Sequence, residues 1–350
     1  MVTQHLASIQ PQKTGCMLIG TPLASEPLVS VVTPVYNGEP YLAQCIESVL
    51  AQTYRNWQYT IFNNCSTDRS LEIAQAYAAI DPRIIVKTSD TFLTQSRSLS
   101  TALSAIAPES KYCKMVLADD WIFPHCLGEM VRVAEMHPSA AIVSSYRLDG
   151  RRVTCAGLPP ESNLFEGRSI CRGALIDGIF VFGSPNTLLY RSDIVRGRVP
   201  FYNEDSLHED TEACYEILMQ HDLAFVHQVL TFTRRQNGSL TSTRSLQDPH
   251  HLLDKLITTL KYGPQYLDPE EYRTCRQKIE GTYYRFLAAR VLRRAEAPFW
   301  EYHHLALEQV GYRIDRRRLA RAVARAVLRR MANPWPQVVR LGRALGGRDE

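Results

Sequence analysis

The segment KMVLADDWIFP, residues 114–124, places two aspartates after an apolar run and before a Trp/Phe/Pro turn. The adjacent carboxylates of Asp119 and Asp120 suit a hard divalent cation, because Mg²⁺ and Mn²⁺ prefer oxygen ligands and share them with substrate phosphates. The competing interpretation is structural, since Asp120 or its neighbour could cap a helix that starts near Pro124. The pair alone leaves both interpretations open.

The pattern around these aspartates is that of strands alternating with helices. The segment LVSVVTP is apolar and β-branched like a buried strand, and EPYLAQCIESVLAQ repeats apolar residues at helical spacing. The alternation continues through WQYTIF, SLEIAQAYAAI, RIIVKT, QSRSLSTALSAIA, KYCKMVLA, FPHCLGEMVRVAEM and AAIVSSY. Strands joined by helices of this length pair in parallel. We therefore predict an α/β fold with an open, mostly parallel sheet flanked by helices.

The pattern weakens over residues 150–205 and then becomes helical. GIFVFGSPNTLLYR suggests two short strands around a break at Gly183 and Pro185, and no helix is predicted in this stretch. HEDTEACYEILMQ then predicts a helix, LAFVHQVLTFTRR predicts a strand, and the chain reads as helical after about residue 247. The predicted organisation is a loose leader, an α/β domain and a helical C-terminal region, over residues 1–26, 27–245 and 246–350.

Polar residues follow three of the predicted strands. In open α/β sheets, ligands bind beyond the carboxyl ends of the strands. The polar residues at these ends are Tyr36, Asn37, Asn63, Asn64, Ser66, Asp68, Asp119 and Asp120. Ser66, Thr67 and Asp68 directly precede a helical pattern, so we expect them mainly to cap that helix. The remaining groups are expected to face one rim of the sheet.

In combination, VSVVTPVYNGEPYLAQCIESVLAQTY, NNCSTDRS and LADDWIFP resemble the family 2 glycosyltransferases, whose nucleotide-binding half has the GT-A fold. The resemblance spans roughly residues 28–240 and leaves the helical C-terminal region outside. It implies an inverting enzyme that moves a sugar from a nucleotide-diphosphate donor to a hydroxyl of a glycan or lipid-linked acceptor. It also implies Mn²⁺ or Mg²⁺ as cofactor and a role in surface polysaccharide biosynthesis.

The donor side of such a site is implied by two of the segments. In TPVYN, Tyr36 is expected to stack near the base and Pro34 to fix the turn, with Asn37 in the same loop. In NNCSTDRS, Asn63 or Asn64 occupies the place of an acidic residue that recognises the base or ribose. An amide donates hydrogen bonds where a carboxylate only accepts them, so the base stays open.

The metal motif of the family is matched with one departure. Leu117 stands where many members have an aspartate. The resemblance therefore leaves Asp119 near the ribose or diphosphate and Asp120 on the metal, with Asp119 as a second metal ligand.

The acceptor side is implied by LHEDTEACYEIL and VLTFTRRQNGSLT. Asp210 takes the place of the general base that accepts the proton of the acceptor hydroxyl, with Glu209 and His208 beside it. From the residues alone, the competing interpretation is favoured: Glu209 and Asp210 are favourable first-turn charges on a helix dipole, and His208 is a solvated neighbour. Candidates for anion contacts, with a solvated loop as the alternative, are Arg234, Arg235 and Ser239.

The positive charge of the chain is concentrated in its last residues. The net charge is +4, yet residues 313–350 hold 11 Arg and 3 acidic residues, so the remainder sums to −4. Within RRRLARAVARAVLRRM, an apolar stripe consists of Leu319, Ala322, Val323, Ala326 and Val327. Such a helix lies on an anionic membrane surface or packs its stripe on the domain and leaves the arginines in water. No nucleic-acid-binding motif accompanies the charge, so nucleic acid is not an expected partner.

Composition favours a cytoplasmic protein, at most peripheral at the inner face of the membrane. No stretch approaches 18 consecutive apolar residues, and the first 20 residues lack the basic start and apolar core of a signal peptide. The 9 cysteines are scattered without CxxC or zinc-ligand spacing, so we expect reduced thiols.

Two alternatives to a glycosyltransferase remain. A catalytically silent GT-A-like binding or scaffold subunit stays open because Asn63, Asn64 and Leu117 stand where acidic residues might be expected. A nucleotidyltransferase on a related fold is disfavoured, because TPVYNGEP is not a Gly-rich, Lys-containing phosphate loop.

Overall fold

A computed structural model of the chain describes residues 26–204, 209–235 and 251–332. The chain divides into two compact units, Met1–Asp248 and Pro249–Glu350. Residues 1–25 of the predicted leader lie outside the described residues, as do His208 and Ser239. The predicted boundary at residues 245 and 246 falls in another such segment, so it stays a prediction.

In the part of the first unit that the structure describes, ten strands form one sheet. Its strands are β1 (Val29–Val35), β2 (Trp57–Asn63), β3 (Ile84–Thr88), β4 (Tyr112–Met115), β5 (Trp121–Ile122), β6 (Ala140–Asp149), β7 (Arg152–Thr154), β8 (Leu164–Phe165), β9 (Leu189–Arg191) and β10 (Asp222–Thr233). The strand order is β3-β2-β1-β4-β9-β6-β10-β5, and β7 pairs with β6 while β8 pairs with β10. Strands β1 to β4 thus lie side by side, whereas β5, which follows β4 in sequence, lies at the far edge of the sheet next to β10.

Helices connect these strands. They are α1 (Glu39–Leu50), α2 (Ser70–Ile80), α3 (Gln95–Ser104), α4 (Cys126–Met136), α5 (Gly167–Ile176), α6 (Ser192–Arg196) and α7 (Glu209–Ile217). The long ladders are parallel: β1 with β2 and β4, β2 with β3, and β6 with β10. Only short ladders, made by β5, β7, β8 and β9, are antiparallel. The predicted mostly parallel sheet flanked by helices is confirmed.

The core fixes the ends of the central strands. Val29, Val31 and Val35 of β1 are buried in one apolar cluster with Leu42 and Ile46 of α1. The period of two on the strand and the helical spacing on α1 explain why these residues share one cluster. Since both elements are anchored by buried side chains, the loop that joins them starts and ends at fixed points.

Three expectations about local structure were wrong. Pro34 does not form the turn, because β1 runs on to Val35, with Pro34 paired in register with Phe62 of β2. The β1–β4 ladder ends at Met115, opposite Val32, so the missing N–H of Pro34 costs no ladder hydrogen bond there. Residues 180–183 form no strand, and only β9 follows the break, after a 3-10 turn at Pro185–Thr187.

The third error concerns residues 150–205, where no helix was predicted but α5 and the short α6 form; the sequence of α5 contains two glycines. A Cβ at Gly167 would lie 2.0 Å from the His221 carbonyl oxygen and 2.4 Å from that of Leu218. The start of α5 therefore packs directly on backbone and requires glycine. Glycine lowers helix propensity, so tertiary packing decides the conformation here against the local signal.

The second unit is helical, as predicted. Its described helices are α8 (His251–Tyr266), α9 (Pro269–Leu292), α10 (Ala297–Glu308) and α11 (Arg316–Ala332). Asp268 caps α9 by accepting hydrogen bonds from the N–H groups of Glu270 and Glu271. No residue of α11 is buried. Of the helices in the described part of the chain, none has the length and apolar character needed to span a membrane.

Candidate functional site

The loop between β1 and α1 is held by the start of α2. Asn37 adopts a φ of 50°, a conformation that asparagine tolerates better than most residues. Its N–H donates to Ser66 Oγ (3.0 Å) and its Oδ1 accepts from the Thr67 N–H (2.8 Å). The Gly38 N–H donates to Ser70 Oγ (2.8 Å), and a Cβ on Gly38 would lie 2.7 Å from the Val35 side chain. The side chain of Asn37 thus links two loops of the rim.

Asp68 caps two helices at once. Its Oδ2 accepts from the Glu39 N–H at the start of α1 (2.9 Å), and its Oδ1 accepts from the Ser70 N–H at the start of α2 (3.0 Å). Burial alone would raise the pKa of this carboxyl, but hydrogen bonds from Ser70 and from the Glu39 N–H outweigh burial and lower it. Asp68 therefore has the capping role predicted for it.

The two asparagines after β2 have different surroundings. The side-chain amide of Asn64 forms two hydrogen bonds with the backbone of Leu93. Its Oδ1 accepts from the Leu93 N–H (2.8 Å), and its Nδ2 donates to the Leu93 carbonyl oxygen (2.9 Å). Asn63 is fully buried; its Oδ1 accepts from the Ser66 N–H (3.2 Å), while its Nδ2 has no hydrogen-bond partner among the described residues. A buried donor without a partner is costly. Asn63 is consequently the better candidate of the two for a ligand contact.

Two exposed aromatic rings meet beside this loop. Tyr36 is 50% exposed and Phe92 is 61% exposed, and their ring centroids lie 4.7 Å apart in an edge-to-face arrangement. Phe92 follows β3, so it lies beyond a further strand end of the same parallel group. It was missed in the sequence, although an aromatic residue just after a predicted strand could have identified it.

Asp120 lies in a turn after β4 and is buried. The segment that leads to it is tied to its neighbours, since Thr33 Oγ1 donates to the Val116 carbonyl (2.7 Å) and Cys45 Sγ to the Leu117 carbonyl (3.4 Å). Asp120 is only 3% exposed, and its N–H donates to the same Leu117 carbonyl (3.0 Å). Helix α4 begins later, at Cys126. The interpretation of Asp120 as a helix cap is therefore wrong.

The carboxylate of Asp120 is held by the end of β10. Its Oδ1 accepts from the Arg234 N–H (2.9 Å) and its Oδ2 from Thr233 Oγ1 (3.2 Å). Burial, followed by the negative charge of Asp119, raises the pKa of Asp120 to about 7, against the opposing effect of these hydrogen bonds. A buried and a half-buried carboxylate therefore interact here, and a cationic ligand would favour the ionised form of both.

The side chain of Arg234 lies beside the two aspartates. Its Nε donates to the Asp119 carbonyl oxygen (3.1 Å) and its Nη2 to Gln44 Oε1 (2.5 Å). The guanidinium carbon lies 4.4 Å from the ring centroid of Tyr41 and 5.0 Å from that of Trp121. Trp121 in turn stacks on Phe232, with centroids 3.6 Å apart. Arg234 is thus a pre-positioned cation beside the aspartate pair, and Trp121 supports it without having been singled out in the sequence.

Arg235 is already paired. Its guanidinium forms an ion pair with Asp149, a carboxylate whose side chain is 9% exposed and which also lies 3.4 Å from Arg147. The hydrogen bond from Arg235 to Asp149, opposed by burial, raises the pKa of Arg235 above its usual value. A contact with the diphosphate or acceptor would compete with this ion pair.

Glu209 and Asp210 lie in the first turn of α7, as both interpretations of them require. Asp210 Oδ1 accepts a hydrogen bond from the backbone N–H of the next residue, Thr211 (2.7 Å). Behind the helix, Tyr190 and Tyr202 are fully buried, and burial, with the charge of Asp210 as a further cause, holds their pKa values well above the usual range. The catalytic role of Asp210 stays a prediction.

A metal ion at this site would need ligands from a substrate. Among residues 26–204, 209–235 and 251–332, no group of three or more His, Cys, Asp or Glu side chains is placed to hold a metal ion. Asp119 and Asp120 provide two carboxylates, and the charge of the first raises the pKa of the second. Mg²⁺ is commonly bound by one or two carboxylates together with substrate phosphates. The pair fits that mode and does not form an all-protein cage.

Part of the first unit is similar to a known family of proteins. Residues 30–193 match the model of glycosyl transferase family 2. The chain is 37% identical over 123 residues to the uncharacterized protein y4gI of Sinorhizobium fredii, a match to 35% of this chain and 13% of that protein. It is 31% identical over 160 residues to the putative glycosyltransferase EpsE of Bacillus subtilis, covering 43% and 56% of the two chains.

A third relative is the putative teichuronic acid biosynthesis glycosyltransferase TuaG of B. subtilis, 34% identical over 99 residues, which cover 27% of this chain and 37% of TuaG. The chain therefore spans from 13% to 56% of the length of these three curated relatives.

Solved structures share the fold at low identity. Residues 1–349 of TarS from S. aureus, crystallised with UDP-GlcNAc, give a TM-score of 0.57 at 15% identity, covering 81% of this chain and 80% of that one. The mannosyltransferase PcManGT from Pyrobaculum calidifontis, in complex with GDP-Man and Mn²⁺, gives 0.53 at 15% identity, covering 90% and 83%. Residues 30–193 thus match the model of glycosyl transferase family 2, and the chain shares the GT-A fold of these solved structures.

Proposed function

We propose that the chain is a glycosyltransferase that moves a sugar from a nucleotide-diphosphate donor to a hydroxyl acceptor. The observation that carries the proposal is the buried Asp120, held beside Asp119 and Arg234 at the rim of a family 2 domain. UDP-GlcNAc bound to TarS and GDP-Man bound to PcManGT support the same class of donor here.

The base and ribose of the donor would lie against the ends of β1, β2 and β3. Tyr36 and Phe92 offer two exposed rings for stacking on a base. The Asn63 Nδ2 group is a buried donor in need of an acceptor, and Asn64 is committed to Leu93. Asn63 therefore takes the recognition role in this proposal, while Asn37 and Asn64 shape the pocket.

The diphosphate would lie at Asp119, Asp120 and Arg234. The two carboxylates would hold Mg²⁺ or Mn²⁺, which supplies charge neutralisation on the departing diphosphate. The Mn²⁺ in PcManGT supports this choice of cofactor. Arg234 is a permanent cation in the same place and offers N–H donors to phosphate oxygens.

The acceptor side rests on α7. Asp210 would accept the proton of the attacking hydroxyl, and attack on the face opposite the nucleotide would invert the anomeric centre. Glu209, His208 and Arg235 would contact the acceptor or the diphosphate from the same side. TuaG, a putative teichuronic acid biosynthesis glycosyltransferase, supports a glycan or lipid-linked acceptor in polysaccharide biosynthesis. A cytoplasmic position, peripheral at the inner face of the membrane, completes the proposal.

The experiment is turnover and binding of a panel of UDP- and GDP-sugars by the intact chain and by Asp210→Asn. Loss of turnover with unchanged donor affinity in Asp210→Asn would support its role as base. Donor binding without any transfer or hydrolysis by the unaltered chain would favour the silent, scaffold alternative, and absence of binding to every nucleotide sugar would contradict the proposal.

A further inference from the structure

A groove of about 500 Å³ runs between α9 and α11 in the second unit. Six arginines line it, one from α9 and five from α11: Arg285, Arg318, Arg321, Arg325, Arg329 and Arg330. Small residues lie between them, including Gly281 and Ala289 on α9 and Ala322 and Ala326 on α11. The groove therefore combines a cationic rim with a narrow apolar lining.

Five of the six arginines are exposed and lie at the rim of the groove, whereas Leu319, Ala322, Val323 and Ala326 of the apolar stripe are half-buried. Arg318 anchors the first turn of α11, because its guanidinium pairs with Glu280 and lies 4.7 Å from the ring centroid of Tyr284. Asp315 caps the same turn, accepting from the N–H groups of Arg317 and Arg318 (2.8 and 3.1 Å). The charge of Arg318 is thus paired inside the unit.

The following turns carry charge that is not compensated in this way. Arg321, Arg325, Arg329 and Arg330 form no ion pair with a carboxylate among the described residues, and Arg285 donates only to Thr282 Oγ1 (3.0 Å). Like charges at this spacing repel one another, and the repulsion is relieved by an anionic ligand that enters the groove.

The apolar side chains of the same turns face solvent. Leu328 is 63% exposed, Met331 73% and Val327 37%, next in sequence to the arginines of the groove. A soluble polyanion such as RNA would satisfy the arginines and leave these side chains in water. An anionic lipid satisfies both, because its phosphate meets guanidinium groups while its acyl region covers leucine and methionine.

We propose that the groove between α9 and α11 binds the phosphate headgroup of anionic phospholipids and that the end of α11 inserts at the lipid surface. This proposal identifies the surface that would hold the protein at the membrane. It rests on the peripheral membrane position that is included in the proposed function. It does not depend on the donor chemistry of the first unit.

Gly281 allows the groove to be tested without changing its charge. A Cβ at Gly281 would meet nothing within 4 Å, so a larger side chain fits there and occupies the groove. The experiment is co-sedimentation of the intact chain with vesicles of phosphatidylcholine alone and with added phosphatidylglycerol. We expect Gly281→Gln to weaken binding to the anionic vesicles by about fivefold or more, whereas Gly281→Ala leaves it within about twofold.

Two double variants that remove the same charge distinguish binding in the groove from nonspecific electrostatic attraction to the vesicle. Arg321→Ala with Arg325→Ala removes two charges from the groove, and Arg316→Ala with Arg317→Ala removes two from the same helix outside it. The groove pair should weaken binding at least about tenfold and the outer pair less than about threefold. Helicity of both variants, measured by circular dichroism, checks folding, and alanine favours helix in each.

Three results would overturn the proposal. They are equal binding to both vesicle compositions, equal losses in the two arginine pairs, and binding of single-stranded RNA or inorganic phosphate without binding of anionic vesicles. Hydrolysis of the nucleotide sugar in vesicle-free buffer, measured on the same variants, should be unchanged. Absence of donor turnover by the unaltered chain would count against the proposed function and not against the lipid-binding groove.

Discussion

The backbone N–H of Arg234 donates to Asp120 Oδ1 at 2.9 Å across 114 residues of sequence, and the Arg234 Nε donates to the Asp119 carbonyl oxygen at 3.1 Å. One residue at the end of β10 thus fixes the carboxylate and places a cation beside it. The relationship joins two strand ends that the sheet brings together, and the proposed position of the donor diphosphate lies beside it.

Replacement of Arg234 by alanine should weaken donor binding by about tenfold or more, because a charge-assisted hydrogen bond to a phosphate is worth about 1.5–3 kcal/mol. Arg234→Lys should recover only part of this, since lysine lacks the planar fork that lies over Tyr41 and Trp121. Titration calorimetry with the donor measures the effect. Arg132→Ala, which removes an arginine paired with Glu129, is the control and should leave donor affinity unchanged. Equal affinity in the Arg234 variants would remove this residue from the site.

The exposed pair Tyr36 and Phe92 should contribute to recognition of the base. Phe92→Ala and Tyr36→Ala should each reduce donor affinity by about fivefold, or about 1 kcal/mol, through loss of stacking. Tyr36→Phe keeps the ring and should bind the donor like the unaltered chain. If donor affinity survives both alanine substitutions, the base lies elsewhere. Competition by the free nucleoside diphosphate, measured by fluorescence, provides the readout.

Removal of the shared cap at Asp68 should destabilise the first unit. Asp68→Ala leaves the first N–H groups of α1 and α2 without their acceptor, which should cost about 1–2 kcal/mol of unfolding free energy at neutral pH. The measurement is urea denaturation followed by circular dichroism.

The effect of pH on Asp68 has a defined sign. The folded pKa is lowered from 3.8, so the ionised cap stabilises the fold above about pH 4 and the gain disappears as pH falls through the folded pKa. The stability difference between the unaltered chain and Asp68→Asn should therefore shrink on acidification. A difference that stays constant from pH 7 down to pH 3 would contradict the ionised cap.

Lys114 is a fully buried lysine whose ammonium donates to the carbonyl oxygens of Asn186 (2.6 Å) and Leu188 (3.2 Å). Lys114→Met keeps the volume but leaves both carbonyls without this donor, so we expect a loss of about 1–3 kcal/mol. Burial lowers the pKa of Lys114 below 10.5, hence the stability of the unaltered chain should rise with pH between the folded pKa and 10.5.

The methionine variant of Lys114 should lack that rise in stability with pH. Lys111→Met, at an exposed lysine that pairs with Glu135, is the matched control and should keep it. The measurement is thermal unfolding from pH 7 to pH 10. Parallel stability profiles for the two variants would show that the buried ammonium is not the source of the pH dependence.

The sequence predicts the parallel half of the sheet well because its signals are local. The β-branched strands and the helical spacing of α1 are visible in windows of seven to fourteen residues, and so are the polar strand ends at Tyr36, Asn63 and Asp120. Since the carboxyl ends of parallel strands meet, the rim follows from the alternation alone. These are the elements in which propensity, pattern and packing agree.

The remaining features depend on contacts between distant segments. Helix α5 begins at a glycine because the His221 and Leu218 carbonyls lie where a Cβ would be. In residues 180–183, Val181 and Phe182 are buried without joining the sheet, so an apolar run resembled a strand. The hydrogen bond from the Arg234 N–H to Asp120 joins residues far apart in sequence, so no local sequence pattern predicts it. The polar residues at the strand ends were thus predictable from the sequence, whereas the hydrogen bonds that join them were not.

The measurement that tests the central claim most directly is donor binding as a function of Mn²⁺, compared between the unaltered chain and Asp120→Ala. Titration calorimetry with each nucleotide sugar, in chelator and then in Mn²⁺, gives the affinity in both states. We predict that Mn²⁺ strengthens donor binding in the unaltered chain by about tenfold or more and has no effect in Asp120→Ala. Donor affinity that responds equally to Mn²⁺ in both proteins would contradict a metal-binding role for the aspartate pair.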